Sequence, residues 1–383
     1  MTAADVPVIH WARQPADLAR AVDELSAAPE IALDTEGDSL HHYPERLALV
    51  QIGLPAGAVW LVDPIALPDL APLAPLFTDR RRPLVLHAGD NDLVHLKRRY
   101  GLTFASVFDT AIAARFLGGK ALGLDVLLES YLAVTLPPSR QKDDWSMRPL
   151  DAAQLAYAAA DVQHLFALKA RLVDELARAG RLAWVEEECA ALAAQPAPER
   201  PVDPDAYVGV KGARELPSRG LAVLRELWAT REQLARAADR PPFKVVGEDT
   251  LLKIAQTLPR DAAMLGTITG VTPRVLGRWG TALLAAVERG LALAEEELPT
   301  LPRRPRPVIP GAMSRRIDKL RRWRSGATER VGLEPGVLLP NRLITAIAAA
   351  APRTLDELAG VDGVRRWRVD TFGAEMLAAL TAA

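Results

Sequence analysis

Asp34 and Glu36 close the run IALDTEG at residues 31–37, which otherwise reads as an apolar strand. Strand side chains alternate between faces, so two carboxylates two positions apart project to the same side. At about 5 to 7 Å such charges repel by roughly 2 to 3 kcal/mol at an effective dielectric near 20. A solvated strand end would relieve them. So would a bound cation, and an all-oxygen donor set selects hard ions such as Mg²⁺ or Mn²⁺. Further acids decide between the two.

Three more residues qualify. In PLVLHAGDNDLVHLKRRYG, residues 83–101, a buried strand leads through a glycine turn into a helix, with Asp90 as its N-cap and Gly101 as its stop. Asp92 then falls in the first helical turn, beside the strand end from which the chain has just emerged. In RPLDAAQLAYAAADVQHLFALKARL, residues 148–172, Asp151 and Gln154 form a capping box ahead of one long helix. Tyr157 and Asp161 lie four apart and share a face of it. Ala156 and Ala158 to Ala160 let that face approach a sheet closely.

The elements that must position these residues are legible over residues 1 to about 195. Short β-type runs (IALDTE, LALVQIG, VWLVD, PLVLHAG, SVFD) alternate with helical stretches, the pattern of a sheet flanked by helices. Two proline-rich segments, QPAPERPVDPDAY (195–207) and LPTLPRRPRPVIPG (298–311), read as extended linkers. Between them, and after the second, only helical periodicity is visible. MLGTITGV followed by WGTALLAAV can be laid over TLDELAGV followed by FGAEMLAAL, which predicts two copies of one small helical module. The expected units are residues 1–195, a linker at 196–212, a first helical domain at 213–297, a linker at 298–311 and a second, diverged helical domain at 312–383.

Composition narrows the class. A chain of 383 residues is long for one core, and 49% hydrophobic with 25% charged residues fits an ordinary globular protein. One cysteine, Cys189, excludes an internal disulfide and points to a reducing compartment. Six histidines and that cysteine supply no zinc set, and no P-loop or dinucleotide fingerprint occurs. The start MTAADVPVIHWARQ lacks a basic-then-apolar leader and no run of eighteen apolar residues follows, so a cytoplasmic location and no membrane partner are expected. Charge is uneven: residues 301–383 carry 15 Lys and Arg against 8 Asp and Glu, the preceding part 32 against 40. A basic tail behind an acidic body suggests a polyanionic partner held at the tail, with solvated arginines as the alternative.

The blocks ALDTEGDSLHHYPERLALVQIG, LVLHAGDNDLVHL, FDTAIAARFLG and QKDDWSMRPLDAAQLAYAAADVQHL, in this order and spacing, resemble the three motifs of ribonuclease D and its relatives, the 3′ to 5′ exonucleases named for four acids and a tyrosine. The segment LAVLRELWATREQLARAADRPPFKVVGEDTLLKIAQTLP (221–259) is similar to the helicase-and-RNase-D C-terminal (HRDC) domain, and residues 311–383 look like a diverged second copy. The resemblance implies a ribonuclease H-like α/β domain with a mixed sheet, followed by two small all-α domains. It implies that Asp34, Glu36, Asp92 and Asp161 hold two divalent ions, Mg²⁺ or Mn²⁺, and that Tyr157 orients the attacking water. The implied activity is hydrolysis of RNA from its 3′ end to nucleoside 5′-monophosphates, with tRNA precursors and structured RNAs as substrates. A DNA 3′ exonuclease and a silent nucleic-acid-binding scaffold are the alternatives.

Substrate contacts are nominated at His41, Tyr43 and His95, the last one helical turn after Asp92. Where relatives carry a lysine ahead of the third motif this chain has Pro137 and Pro138, so Arg140 or Lys142 would replace its phosphate contact. Asp109 is expected to be an N-cap, His87 a packing residue, and Asp143 and Asp144 structural.

Overall fold

The computed structural model describes residues 7–198, 203–301 and 309–381. Parts of both expected linkers, residues 199–202 and 302–308, together with residues 1–6 and 382–383, lie outside the described residues.

Six strands, β1 Ile9–Ala12, β2 Ile31–Gly37, β3 Leu47–Gly53, β4 Val59–Val62, β5 Leu84–Leu86 and β6 Val107–Asp109, form one sheet in the order β1-β4-β3-β2-β5-β6. β3 runs antiparallel to both β2 and β4, whereas β1 with β4, β2 with β5 and β5 with β6 pair parallel. The mixed sheet is as expected; β1, only four residues of IHWA, carries too little pattern to be read from sequence. Every residue of β3 is buried, because both faces are covered. Leu18 and Leu25 of the helix Pro15–Ser26 pack with Ile31, Leu33, Val50 and Ile52 on one face. On the other, Tyr157, Ala158, Ala159 and Val162 of the helix Ala152–Gln163 pack with Ala32, Leu49, Leu61 and Val85.

Local signals hold with small corrections. The capping box is present: the Gln154 N–H donates to Asp151 at 2.7 Å and the Asp151 N–H to the Gln154 side chain at 3.0 Å. The single long helix expected after it breaks at His164, which leaves the bridge between two helices, and resumes as Leu165–Arg178. Gly89, not Asp90, caps the helix Asp90–Tyr100, and Gly101 ends it in the left-handed conformation, φ 66°.

The two helical modules repeat one another element by element. The first runs Ser218–Ala237, Pro242–Val245, Glu248–Thr257, Ala262–Gly266 and Pro273–Ala292; the second Gly311–Val331, Pro335–Leu338, Asn341–Ala350, Leu355–Ala359 and Arg366–Thr381. Equivalent third helices end on non-glycine residues with positive φ, Leu258 and Ala351, and equivalent fourth helices start from the side-chain caps Asp261 and Thr354. Tyr207, Val210 and Ala213 are buried in the first module's core. Residues 207–210, expected as linker, therefore pack with the domain, since their apolar side chains have a surface to cover.

The modules dock differently. The second shares one hydrophobic core with the N-terminal domain, in which Phe116, Leu168, Leu172 and Val185 meet Leu320, Leu343 and Trp367. Trp184 stacks on Trp367 with ring centroids 4.7 Å apart. Glu187, on the helix Leu182–Ala194, accepts the backbone N–H groups of Arg366 at 2.6 Å and Trp367 at 2.8 Å, and so caps a helix of the other domain. Beside it Glu188 binds Arg368 at 2.6 Å, and the same guanidinium donates to the carbonyls of Leu338 and Val337. The chains approach so closely that a Cβ on Gly118 would lie 2.6 Å from the Gly332 carbonyl oxygen. Cys189, on the same helix as Glu188, is fully buried and accepts the Asp109 N–H at 3.3 Å; burial pushes its thiol up to about 12.

Candidate active site

β2 delivers Asp34 and Glu36 to the face covered by the helix Ala152–Gln163, where Asp161 meets them. One carboxylate oxygen from each of Asp34, Glu36 and Asp161 lies within 4.8 Å of the others. The pairing of β2 with β3 shifts register after Glu36, so the ladder ends just beyond the second acid and the chain turns away. Asp92, in the first turn of Asp90–Tyr100, stands at the side of this group: its carboxylate accepts a hydrogen bond from the Thr35 hydroxyl, between the two β2 acids. It belongs to the same electrostatic cluster, though not to the close trio.

The four carboxylates disturb one another strongly. Burial is the largest cause, and it raises the pKa of Asp34 well above the usual range, reinforced by the charges of Asp92, Asp161 and Glu36. Glu36 is raised to about 9 by burial and then by Asp161 and Asp92, Asp161 to about 7 by burial, and Asp92 also upward by burial. Among the described residues no ion pair engages any of the four. Buried oxygens from three chain segments, without a cationic side chain, are the donor chemistry that a hard divalent ion fits.

Tyr157 lies one turn before Asp161 on the same helix, and both line one cavity with Ser139. Burial, then the acids, raise the phenol's pKa, so it stays protonated near neutrality. Its ring packs 6.0 Å from that of Trp145. A cavity of about 600 Å³ opens beside it, lined by Leu124, Pro137, Ser139, Gln141, Tyr157 and Asp161. A larger hollow, about 930 Å³, lies between segment 203–215 and residues 299–301, and none of the four acids lines it.

The other nominated residues divide. His41 bonds the Lys142 carbonyl at 2.8 Å, which ties the loop after β2 to the loop carrying Arg140 and Lys142; the Arg140 guanidinium faces Asp143 at 3.4 Å. His95 faces Glu45 at 3.5 Å. Tyr43 is placed elsewhere than expected: its hydroxyl donates to Glu232 and Arg236 stacks 5.1 Å over its ring, so it is occupied in the contact with the first helical module. Asp109 is the expected cap, accepting the Ala111 and Ile112 N–H groups, and it also accepts those of Ala88 and Gly89 at the turn before Asp92.

Sequence reading missed the polar latch around His42. Its Nδ1 meets Asp239 at 2.7 Å, and its Nε2 meets Asp144 at 3.2 Å and Ser146 at 2.9 Å. Asp239 also accepts the Tyr43 N–H at 3.1 Å and faces Arg46 at 3.7 Å. Buried Asp38 closes the loop from below by binding the Arg46 N–H and guanidinium at 2.7 and 2.8 Å. Asp239 takes a positive φ, 46°, just past the helix Ser218–Ala237, and so turns its carboxylate toward this loop. The pairing joins positions 197 residues apart and leaves no local signal in the chain.

The family model described as 3'-5' exonuclease matches residues 9–177, and the HRDC domain model matches twice, at 220–287 and 313–380. Ribonuclease D of Pseudomonas paraeruginosa is 35% identical over 98% of this chain and 99% of its own, and ribonuclease D of Granulibacter bethesdensis 34% over 94% and 90%. In fold, the chain is similar to the crystal structure of Escherichia coli RNase D, an exoribonuclease involved in structured RNA processing (TM-score 0.69, 27% identity, 97% and 98% of the two chains). A protein from Bifidobacterium adolescentis has the same fold, with a TM-score of 0.81 at 22% identity over 98% and 100%. A 3′-5′ exonuclease domain with a clustered acid set, followed by two HRDC domains, places this chain in the ribonuclease D family.

Proposed function

We propose that Asp34, Glu36, Asp92 and Asp161 hold two divalent cations, Mg²⁺ or Mn²⁺, with which this 3′-5′ exoribonuclease of the ribonuclease D family hydrolyses RNA from its 3′ end. The observation that carries the reading is the close trio of carboxylates, buried Glu36 with half-buried Asp34 and Asp161, that has no cationic partner among the described residues. Bound there, the ions would supply an activated water and stabilise the departing 3′ oxygen. The chain's own residues do the rest. The four acids fix where the positive charge sits. Tyr157, one turn before Asp161, keeps its proton near neutrality and would use it to orient the attacking water. The loop 137–141 walls the adjoining cavity and limits the water that reaches it.

The substrates we assign are tRNA precursors and other structured RNAs, trimmed to nucleoside 5′-monophosphates. His41, His95, Arg140 and Lys142 border the acids on the loop and helix nearest them and are the proposed contacts to the terminal nucleotides; Tyr43, committed to the domain contact, is not carried forward.

Asp34→Asn tests the reading on 3′-labelled and 5′-labelled RNA and matched DNA, with Mg²⁺, Mn²⁺ or chelator. Hydrolysis should fall on the order of 10³-fold or more. In chelator at pH 8 the variant should melt above the parent, because a like charge has left the cluster. A raised carboxyl pKa means stability is lost as pH climbs from the ordinary range toward the raised value, so this gain should shrink below pH 5. RNA degraded at the parental rate would refute the assignment.

A further inference from the structure

We infer that Gln51 is a positioning residue of the acid site, whose side-chain amide orients the Asp34 carboxylate for a bound divalent cation. This rests on the reading that Asp34 holds such an ion.

In the register of β2 and β3, Gln51 stands directly opposite Asp34. Directly opposed residues of an antiparallel pair put their Cβ atoms on the same face, about 4.5 to 5.5 Å apart. The neighbours two residues away on β3 fix which face this is. Leu49 packs with Tyr157 and Ala158, and a Cβ on Gly53 would lie 3.2 Å from the Val162 side chain. Gln51 therefore points beneath the helix that carries Tyr157 and Asp161, into the layer that holds the acids.

Its surroundings make the residue type hard to explain by packing. Gln51 is fully buried, and neither its amide nitrogen nor its amide oxygen has a hydrogen-bond partner. Among the described residues it is the one side chain with both polar atoms stranded; Trp145 and Arg231 each strand one. A buried amide left without a partner keeps the full cost of its lost hydration, which an apolar residue of like volume would avoid. The rest of the strand is apolar, Leu47, Ala48, Leu49, Val50, Ile52 and Gly53. The single polar side chain of the strand thus sits opposite Asp34, while apolar Leu49 stands opposite Glu36.

A carboxylate that binds an ion through one oxygen needs a donor on the other to hold its plane, and side-chain N–H groups commonly serve. The Gln51 Nε2 is an uncommitted donor in the correct layer. Thr35 supplies a comparable anchor to Asp92. Removal of such a support typically weakens metal binding 10- to 100-fold.

The test uses the full chain, with Mn²⁺ alone as the probe and no RNA. Mn²⁺ affinity by calorimetry or electron paramagnetic resonance, and melting in chelator, are compared for the parent, Gln51→Met, Gln51→Leu, Asp34→Asn and the Asp34→Asn/Gln51→Met double variant. The expected result is that Gln51→Met and Gln51→Leu melt at or above the parent in chelator yet bind Mn²⁺ about 10-fold or more weakly. The double variant should bind no more weakly than Asp34→Asn alone, since Gln51 acts through that carboxylate. Parental Mn²⁺ affinity in both Gln51 variants, alongside weakened binding by Asp34→Asn, overturns this inference and leaves the acid site standing. Parental affinity in Asp34→Asn overturns the acid-site reading and this inference with it.

Discussion

The two helical modules have the same five helices and opposite relations to the catalytic domain. The second is fused into it through a continuous apolar core, a stacked pair of tryptophans and the buried Glu188–Arg368 pair. The first touches the loop after Glu36 through His42, Tyr43 and Arg46, all facing carboxylates that are largely in water's reach. An apolar interface of the first kind does not open without unfolding surface, whereas exposed charge pairs are worth little individually and exchange readily with solvent. One fold thus serves once as part of a core and once as a neighbour held to the loop after Glu36 mainly by polar contacts.

The comparison breaks most readily at the second module. Removing residues 309–383 should leave Phe116, Leu168, Leu172 and Val185 exposed, so the remainder is expected to aggregate or lose cooperative melting. A fragment that melts as the full chain does would mean the shared core is dispensable. The apolar face of the basic tail completes the core of the catalytic domain. A smaller blow to the same interface is Arg368→Met, which leaves Glu188 short of its main partner and should lower stability by about 3 kcal/mol in urea titration. A loss below about 1 kcal/mol would place that pair with the solvent-screened ones.

The first module should respond gently. Asp239 is half exposed, so Asp239→Asn is expected to change global stability by less than about 1 kcal/mol while loosening docking, read as faster hydrogen exchange in residues 38–46. Docking should also depend on pH. Burial lowers the His42 pKa, but its hydrogen bonds to Asp239 and Asp144 outweigh that and hold it raised. Carboxylates at both ring nitrogens call for the doubly protonated ring; Ser146 also contacts it, while His41 and Arg46 face the same two carboxylates, Asp144 and Asp239. A raised histidine pKa gives stability that is complete below about pH 6.5 and lost as pH rises through the raised value. Exchange in residues 38–46 should therefore quicken from pH 6 to pH 8 in the parent and vary less in Asp239→Asn.

Much of this architecture was written locally in the chain. Strands rich in β-branched residues, the Asp151 capping box, the Gly101 stop and the repeated helical blocks all depend on neighbours within a few positions, and all formed. The acids were legible because strand alternation and helical spacing fix their faces. What escaped depends on distant partners. Trp184 and Trp367 are 183 positions apart, and nothing local says that they stack on each other. His42 carries no local signal either, since Asp239 reaches it only through the fold. Gln51, in LVQIG, carries no local sign of its burial, which follows from both faces of β3 being covered.

Cys189 has a practical consequence. Its sulfur is sealed between a helix and the sheet edge, and the thiol stays protonated far above neutrality, so alkylating reagents acting on thiolates will pass it by. A cysteine introduced on an exposed position of each helical module would then be the sole reactive handle there, and a fluorophore pair could report the distance between the modules in the otherwise native chain.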